Sequence, residues 1–431
     1  MQKMKDSGVK WIGKIPETWL ILHLKYVCDL KTGGTPANKI GIDVEGEIPW
    51  ITAQDMIDAS NITNYSQYIT NETIKKNKYK LFPAGSTLLC CIASVGKNGF
   101  ITKNAYSNQQ ITALMPKKNI FNRYLLYLIN AGKDTIVFDA SSNVVPIVNS
   151  QYLKGFSIML PPLPEQEKIS LFLDSKCAEI DELHIDIQKQ IEILEEYKKA
   201  VITDAVTKGL NPDVEMKYSG IEWIGEIPKD WGISRLKYEL ETPMKYGASE
   251  TGVDYSDDLP RYIRITDITR DNKLKDEGKL SLTFEQANGY MLEKDTILFA
   301  RSGGTVGKTF LYTPDFGAAA FAGYLIAGTP DVNKMLAKWL YYYSLSNAYW
   351  DWVDRIFTQA TIQNIGADKY SNMPITVPNT ITQKKIIDYL DEKCNEFDSI
   401  IAEKKQQLEV LEQYKKSLIY EYVTGKKEVL E

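Results

Sequence analysis

The chain has 431 residues, 44% hydrophobic and 25% charged, a composition suited to a globular protein with room for two or more cores. No apolar run approaches the ~20 residues of a membrane span, and the opening MQKMKDSGVK lacks the apolar core of a signal peptide, so a cytoplasmic address is expected. Two histidines, His23 and His184, leave little material for His-based acid–base catalysis or a His-rich metal site. The five cysteines are spaced for neither a zinc ribbon nor a disulfide framework.

In chain order, the first feature is MKDSGVKWIGKIPETW (4–19), which returns as MKYSGIEWIGEIPKDW (216–231). Leu24-Lys25-Tyr26 likewise matches Leu236-Lys237-Tyr238. A repeat this long is no solenoid unit; it implies one module present twice. After each opening comes a stretch of short β-type runs broken by turn residues, about 20–155 and 232–375. STLLCCIA, ITALMP and TILFARS are the clearest runs, and these two stretches share little sequence.

Pro161, Pro162 and Pro164 then stop a strand and pre-set a helix start, with Glu165 and Glu167 suited to its positive end. Over 165–207 apolar residues recur every seven, at Leu173, Ile180, Ile187, Leu194 and Val201. The matching stripe in the other copy is Leu390, Phe397, Lys404, Leu411 and Leu418. A second stripe is read at Lys176, Leu183, Gln190 and Tyr197, making an imperfect coiled-coil seam. Gly209 and Pro212 end the first helix. A long helix with so narrow a seam cannot bury itself, and its own repeat, antiparallel, is the cheapest partner. Cys177 and Cys394 hold equivalent places in the repeat, yet an antiparallel pair keeps them far apart, so free thiols are expected.

The expected fold is α+β: two β-rich domains and two long helices in an antiparallel coiled coil, related by an internal pseudo-two-fold repeat. The expected divisions are 1–160, 161–210, 211–376 and 377–431, alternately β-rich domain and helical spacer. The net charge of −5 argues against nucleic acid only on average. Residues 20–155 carry +5 and residues 165–208 carry −5, and local charge governs phosphate contact.

KTGGTP (31–36), PPLPEQEKI (161–169), SGIEWIGEIPKDW and QNIGADKY (363–370), set in this duplicated frame, resemble the specificity subunit of a Type I restriction–modification system. The likeness spans essentially the whole chain. It departs at the second junction, where VPNTITQKKI replaces PPLPEQ and only Gln383 and the helix onset survive; TPMKYGAS (242–249) is a loose counterpart of KTGGTP. The resemblance implies that each β-rich domain is a target-recognition domain reading half of a split double-stranded DNA site. It implies that the helices set the spacing and dock two modification (methyltransferase) subunits, with restriction (translocase/endonuclease) subunits joining. Catalysis, with its S-adenosylmethionine, ATP and Mg, then belongs to those partners; no catalytic or metal residue is expected in this chain. The rival reading is a coiled-coil scaffold or adaptor without DNA binding.

RSGGTVGKTF (301–310) looks at first like a phosphate-binding loop, but Ser302 stands where the first glycine belongs. IASVGKN (92–98) lies in register with it in the first copy, and a nucleotide loop would not recur degraded in two ways. Lys97 and Lys308 are read instead as phosphate contacts, with Arg301 and Ser302 as neighbours near bases; a structural turn with solvated lysines stays open. The other DNA-contact candidates are Lys31, Thr32, Gly33, Gly34, Asn98, Asn108 and Gln109 in the first module. In the second they are Lys245, Arg264, Arg270, Gln363 and Asn364. Six of the seven arginines lie in the second module, where guanine edges suit them, while Asn and Gln in the first suit adenine.

Overall fold

The computed structural model describes the chain except residues 1–2, 35–41, 44–46, 78, 141–144, 270–271, 360–363 and 430–431, and except the side chains of 42, 43, 76, 77 and 357–359. The chain divides into two compact units, 1–187 with 406–431, and 188–405. Each holds one β-rich module with portions of both long helices.

In the first unit Cys28–Thr32 pairs antiparallel with Ile111–Pro116, which pairs with Thr87–Cys90, which pairs with Asn98–Phe100. In the second, Lys245–Tyr246 pairs with Leu325–Gly328, that strand with Ile297–Ala300, and the last with Thr309–Leu311. The order and directions are the same. A second sheet repeats as well: Ile48–Ile51 runs parallel to Tyr106–Ser107 and antiparallel to Gln67–Ile69, as Arg261–Ile263 does with Ala319–Phe321 and Leu280–Ser281. Two sequences that diverged residue by residue keep one topology. The central strands Thr87–Cys90 and Ile297–Ala300 are buried along their whole length, which is why both read as unbroken apolar runs rather than alternating ones.

The long helices are Leu163–Lys208, 46 residues, and Thr380–Val423, 44 residues. Neither has glycine or proline beyond Pro164 in the first turn, so nothing interrupts the backbone ladder. The second helix begins without the prolines of the first. There the Asn379 side chain accepts from the Thr382 backbone N–H, a cap that satisfies one of the orphan donors at a helix start.

Within each unit the two helix segments run antiparallel. In the first, Phe172 packs against Tyr422 with the rings tilted and His184 lies 3.6 Å from Glu412; in the second, Gln190 accepts from Lys404 and Tyr197 meets Phe397 edge-on. The first heptad stripe packs inward as expected, but the second is displaced by one residue. Leu183 and Tyr197 are exposed, at 51% and 59%. The inward stripe is Cys177, His184, Ile191, Lys198 and Ala205, matched by Cys394, Ile401, Leu408, Lys415 and Tyr422. A four-residue step from Leu173 reaches Cys177 on the buried side, where a three-residue step reaches the solvated Lys176. The His and Lys in the true stripe hid it from a search for apolar residues.

All five cysteines are free and buried, Cys177 and Cys394 among them.

Candidate nucleic-acid interface

The loops at Val-Gly-Lys are one structure in both modules. Cys90 N–H donates to Lys97 O and Gly96 N–H to Cys90 O; Ala300 N–H donates to Lys308 O and Gly307 N–H to Ala300 O. Gly96 and Gly307 both have φ above +80°, a conformation that favours glycine. Each loop returns into an antiparallel strand, Asn98–Phe100 or Thr309–Leu311. A phosphate-binding loop opens a helix instead, so this is a hairpin.

The two lysines sit in different surroundings. Lys97 lines a cleft of about 760 Å³ together with Asp58, Asp134, Asp181 and Glu412. Lys133, Lys415 and Lys416 line the same cleft and pair with Asp58, Asp181 and Asp134, so those acids are already matched by lysines and Lys97 stays a candidate phosphate contact. Lys308 donates to the Thr269 carbonyl at 3.3 Å. Asn98 is corrected: it is fully buried, its amide accepts from Ala59 N–H and donates to Gly96 O, and no edge is left for a base.

Six first-module candidates do gather. Gly33 N–H donates to Ile111 O, Gly34 N–H to Ser107 O, and Thr32 Oγ1 bonds Thr112 Oγ1 at 3.0 Å. A Cβ on Gly33 would land inside the Asn108 and Ser107 carbonyl oxygens, so only glycine lets these two segments meet. Asn108 closes its own turn onto Gln110, and Lys31 reaches Leu81 O at 3.2 Å. Gly33 and Gly34 are thus a structural splice whose amides are spent inside the fold, a correction to their reading as DNA contacts. The side chain this splice leaves exposed is Gln109.

In the second module the structure joins Lys245-Tyr246, Arg301-Ser302 and Asn364. The Arg301 guanidinium lies over the Tyr246 ring at 4.9 Å, donates through Nε to Asn364 Oδ1 at 3.2 Å and through Nη1 to Gly323 O at 3.4 Å. Ser302 and Asn364 form a backbone bridge. Gly247 repeats the Gly33 contact against Phe321 and Ala322 carbonyls, so the loose KYGA match is a true counterpart of KTGG. Arg264 is committed largely to the fold: Nε and Nη2 make two bonds to the buried Asp267 carboxylate and Nη2 one to Gly278 O, which disfavours its reading as a base contact. Arg270 and Gln363 lie outside the described residues.

At the start of each long helix one glutamine side chain ties the helix to its module, beside ion pairs and hydrogen bonds such as Arg123 and Tyr127 to Asp174 and Lys338 and Tyr342 to Asp391. Gln166 donates to Pro161 O and Asn119 O and accepts from Phe121 N–H; Gln383 donates to Pro378 O and Lys334 O and accepts from Leu336 N–H. The two clasps match bond for bond.

The family model described as the Type I restriction modification DNA specificity domain matches residues 16–193 and 247–410. The chain belongs to this family. The MjaVIII specificity subunit of a Type I restriction enzyme from Methanocaldococcus jannaschii is 23% identical, over 99% of this chain and 97% of its own. The MjaIX specificity subunit from the same organism is 26% identical over 68% of each chain. A chain solved in work on complex assembly and conformational transition of the type I R-M system shares the fold, with a TM-score of 0.68, 15% identity and coverage of 96% of this chain and 99% of its own.

Both specificity domains depend on residues whose role the sequence does not show. Tyr246, the platform under Arg301, follows a named lysine but was not itself singled out. Gln166 and Gln383 are shared by the two junctions; that they hold backbone groups, and so serve any module sequence, shows only in the fold.

Proposed function

We propose that the chain is the non-catalytic DNA-reading subunit of a Type I restriction–modification complex, each module recognising one half of a bipartite double-stranded site. Two modification subunits dock on it and restriction subunits complete the assembly. Methyl transfer and cleavage, with S-adenosylmethionine, ATP and Mg, are assigned to those partners, and the complex acts on cytoplasmic DNA. The observation that carries this reading is the strand-for-strand repetition of one topology in two modules of divergent surface. One frame with two surfaces suits two half-sites of different sequence.

The test is fluorescence anisotropy of a labelled duplex with the chain and its modification partner, over a range of salt. A complex neutralising about six phosphates should lose roughly 10³-fold in affinity between 50 and 200 mM salt. A scaffold without DNA binding shows no salt-dependent uptake, and that result removes the proposal.

A further inference from the structure

Each arginine of the second module that the structure describes has a role legible in its partners. Arg264 is taken by Asp267, Arg355 pairs with Glu222 at 3.1 Å, and the buried Arg261 donates to the Lys275 carbonyl. Arg235 is exposed and touches Asn372 at 3.4 Å. Arg301 differs from all of these. It is half-buried, and its partners are neutral: an amide oxygen, a carbonyl oxygen and an aromatic face. Among the described residues no carboxylate stands within ion-pair distance of it, and Nη2 has no protein acceptor.

A partly desolvated guanidinium held without a counter-charge is costly to the isolated protein. The arrangement gains something only when a partner supplies acceptors. The Tyr246 ring fixes the plane of the fork, and Asn364 and Gly323 fix its rotation, so little entropy remains to be lost on binding. Among the described residues these contacts leave Nη2 and the second hydrogen of Nη1 without a protein acceptor. Around the guanidinium lie an exposed tyrosine, Tyr324, and the exposed Gly303 and Gly304, where even an added Cβ would touch nothing. A nucleic-acid backbone can approach this rim closely.

The repeat supplies an internal control. Ile365 N–H donates to Arg301 O at 2.8 Å, and Val148 N–H donates to Cys91 O at 2.8 Å, so Cys91 holds the Arg301 position in the first module. Cys91 is buried and its thiol is pushed by burial up to about 11. The same hairpin folds around a small neutral side chain there. Arg301 is therefore not demanded by the backbone.

Resting on the DNA-recognition reading above, we infer that Arg301 is a specificity-determining residue of the second module, pairing its two terminal nitrogens with the O6 and N7 edge of one guanine in the major groove. The first module reads no guanine from the equivalent position.

The experiment maps the methylated site of the reconstituted complex on a random-sequence duplex library, first with the natural chain and then with Arg301→Ala, Arg301→Lys and Arg301→Gln. A natural complex that shows no sequence-specific methylation refutes the recognition reading itself, separately from the role of Arg301. Given a defined site, Arg301→Ala and Arg301→Lys should each relax one G·C pair in one half-site by about 10- to 100-fold, with the other half-site unchanged. Arg301→Gln should move preference at that pair towards A·T, because a Gln amide matches adenine. Arg301→Lys keeps the charge and tests the fork if Arg301→Ala does not fold. The inference is overturned if the half-sites keep their sequences while affinity drops uniformly, the mark of a phosphate contact. It is also overturned if no variant that folds changes any base preference.

Discussion

Asp181 accepts from Lys415 at 2.6 Å, and Asp398 and Lys198, which hold the same two places in the other copy of the repeat, meet at 2.7 Å. Each aspartate is thus matched with the repeat-mate of the other's lysine. Only an antiparallel pairing of like helices exchanges partners in this way. Lys415 is 14% exposed and sits in the inward stripe, with Asp181 as its ion-pair partner across the seam.

Asp181→Asn should therefore destabilise the first unit by about 1–3 kcal/mol, less than a fully buried pair because Asp181 stays partly solvated. The reversed pair Asp181→Lys with Lys415→Asp should recover part of that loss. Urea denaturation of the four chains gives the coupling energy. A double variant no better than the sum of the singles means the pair does not set the register.

Gln166→Ala and Gln383→Ala each leave two carbonyls and one amide without their partner at a buried site. The expected cost is about 2–4 kcal/mol for each. Gln166→Glu should be no better, since a carboxylate cannot donate to Pro161 O and Asn119 O. Thermal unfolding with limited proteolysis near residues 119–121 reads the loosened junction. Unchanged proteolysis in both Gln166 variants would show the clasp to be incidental.

Gly33→Ala and Gly247→Ala force a methyl group into backbone carbonyls that cannot swing away. Gly304→Ala meets nothing. The first two should lower the melting temperature by several degrees, on the order of 1–3 kcal/mol, and the third should leave it within error. Differential scanning fluorimetry separates them. Equal behaviour of all three would contradict the splice.

The thiols offer a pH-dependent check. Burial pushes Cys28 up to about 12 and Cys177 up to about 11, the latter eased by nearby Lys415. Thiolate is the reactive form, and an ordinary cysteine near pKa 8.5 is largely converted to it by pH 9. The folded chain should thus react slowly with a disulfide reagent at pH 8, at a rate still climbing past pH 9. The unfolded chain should release all five thiols and level off there. Rapid modification of Cys177 in the folded chain would place it outside the seam.

The fold was legible where one period or one repeat dominated. The 4–19 and 216–231 openings gave the duplication, and the stripe from Leu173 to Val201 gave the helix. The second stripe is hidden because Lys198 and Lys415 are half-buried by virtue of partners on the other helix, which the pattern of one helix alone does not reveal. The candidate interface was legible in part. Lys245, Arg301, Ser302 and Asn364 do come together, yet Asn98 and Arg264 had the right chemistry in the wrong surroundings. Side-chain type cannot tell an amide that closes a turn from one that faces solvent.

The Gln166 and Gln383 clasps grip main-chain atoms alone. A fastener of that kind is indifferent to what the fastened part is made of. The recognition modules can therefore change almost every side chain they show to DNA without loosening their seats, and a chain built this way can acquire new targets faster than it must relearn how to fold.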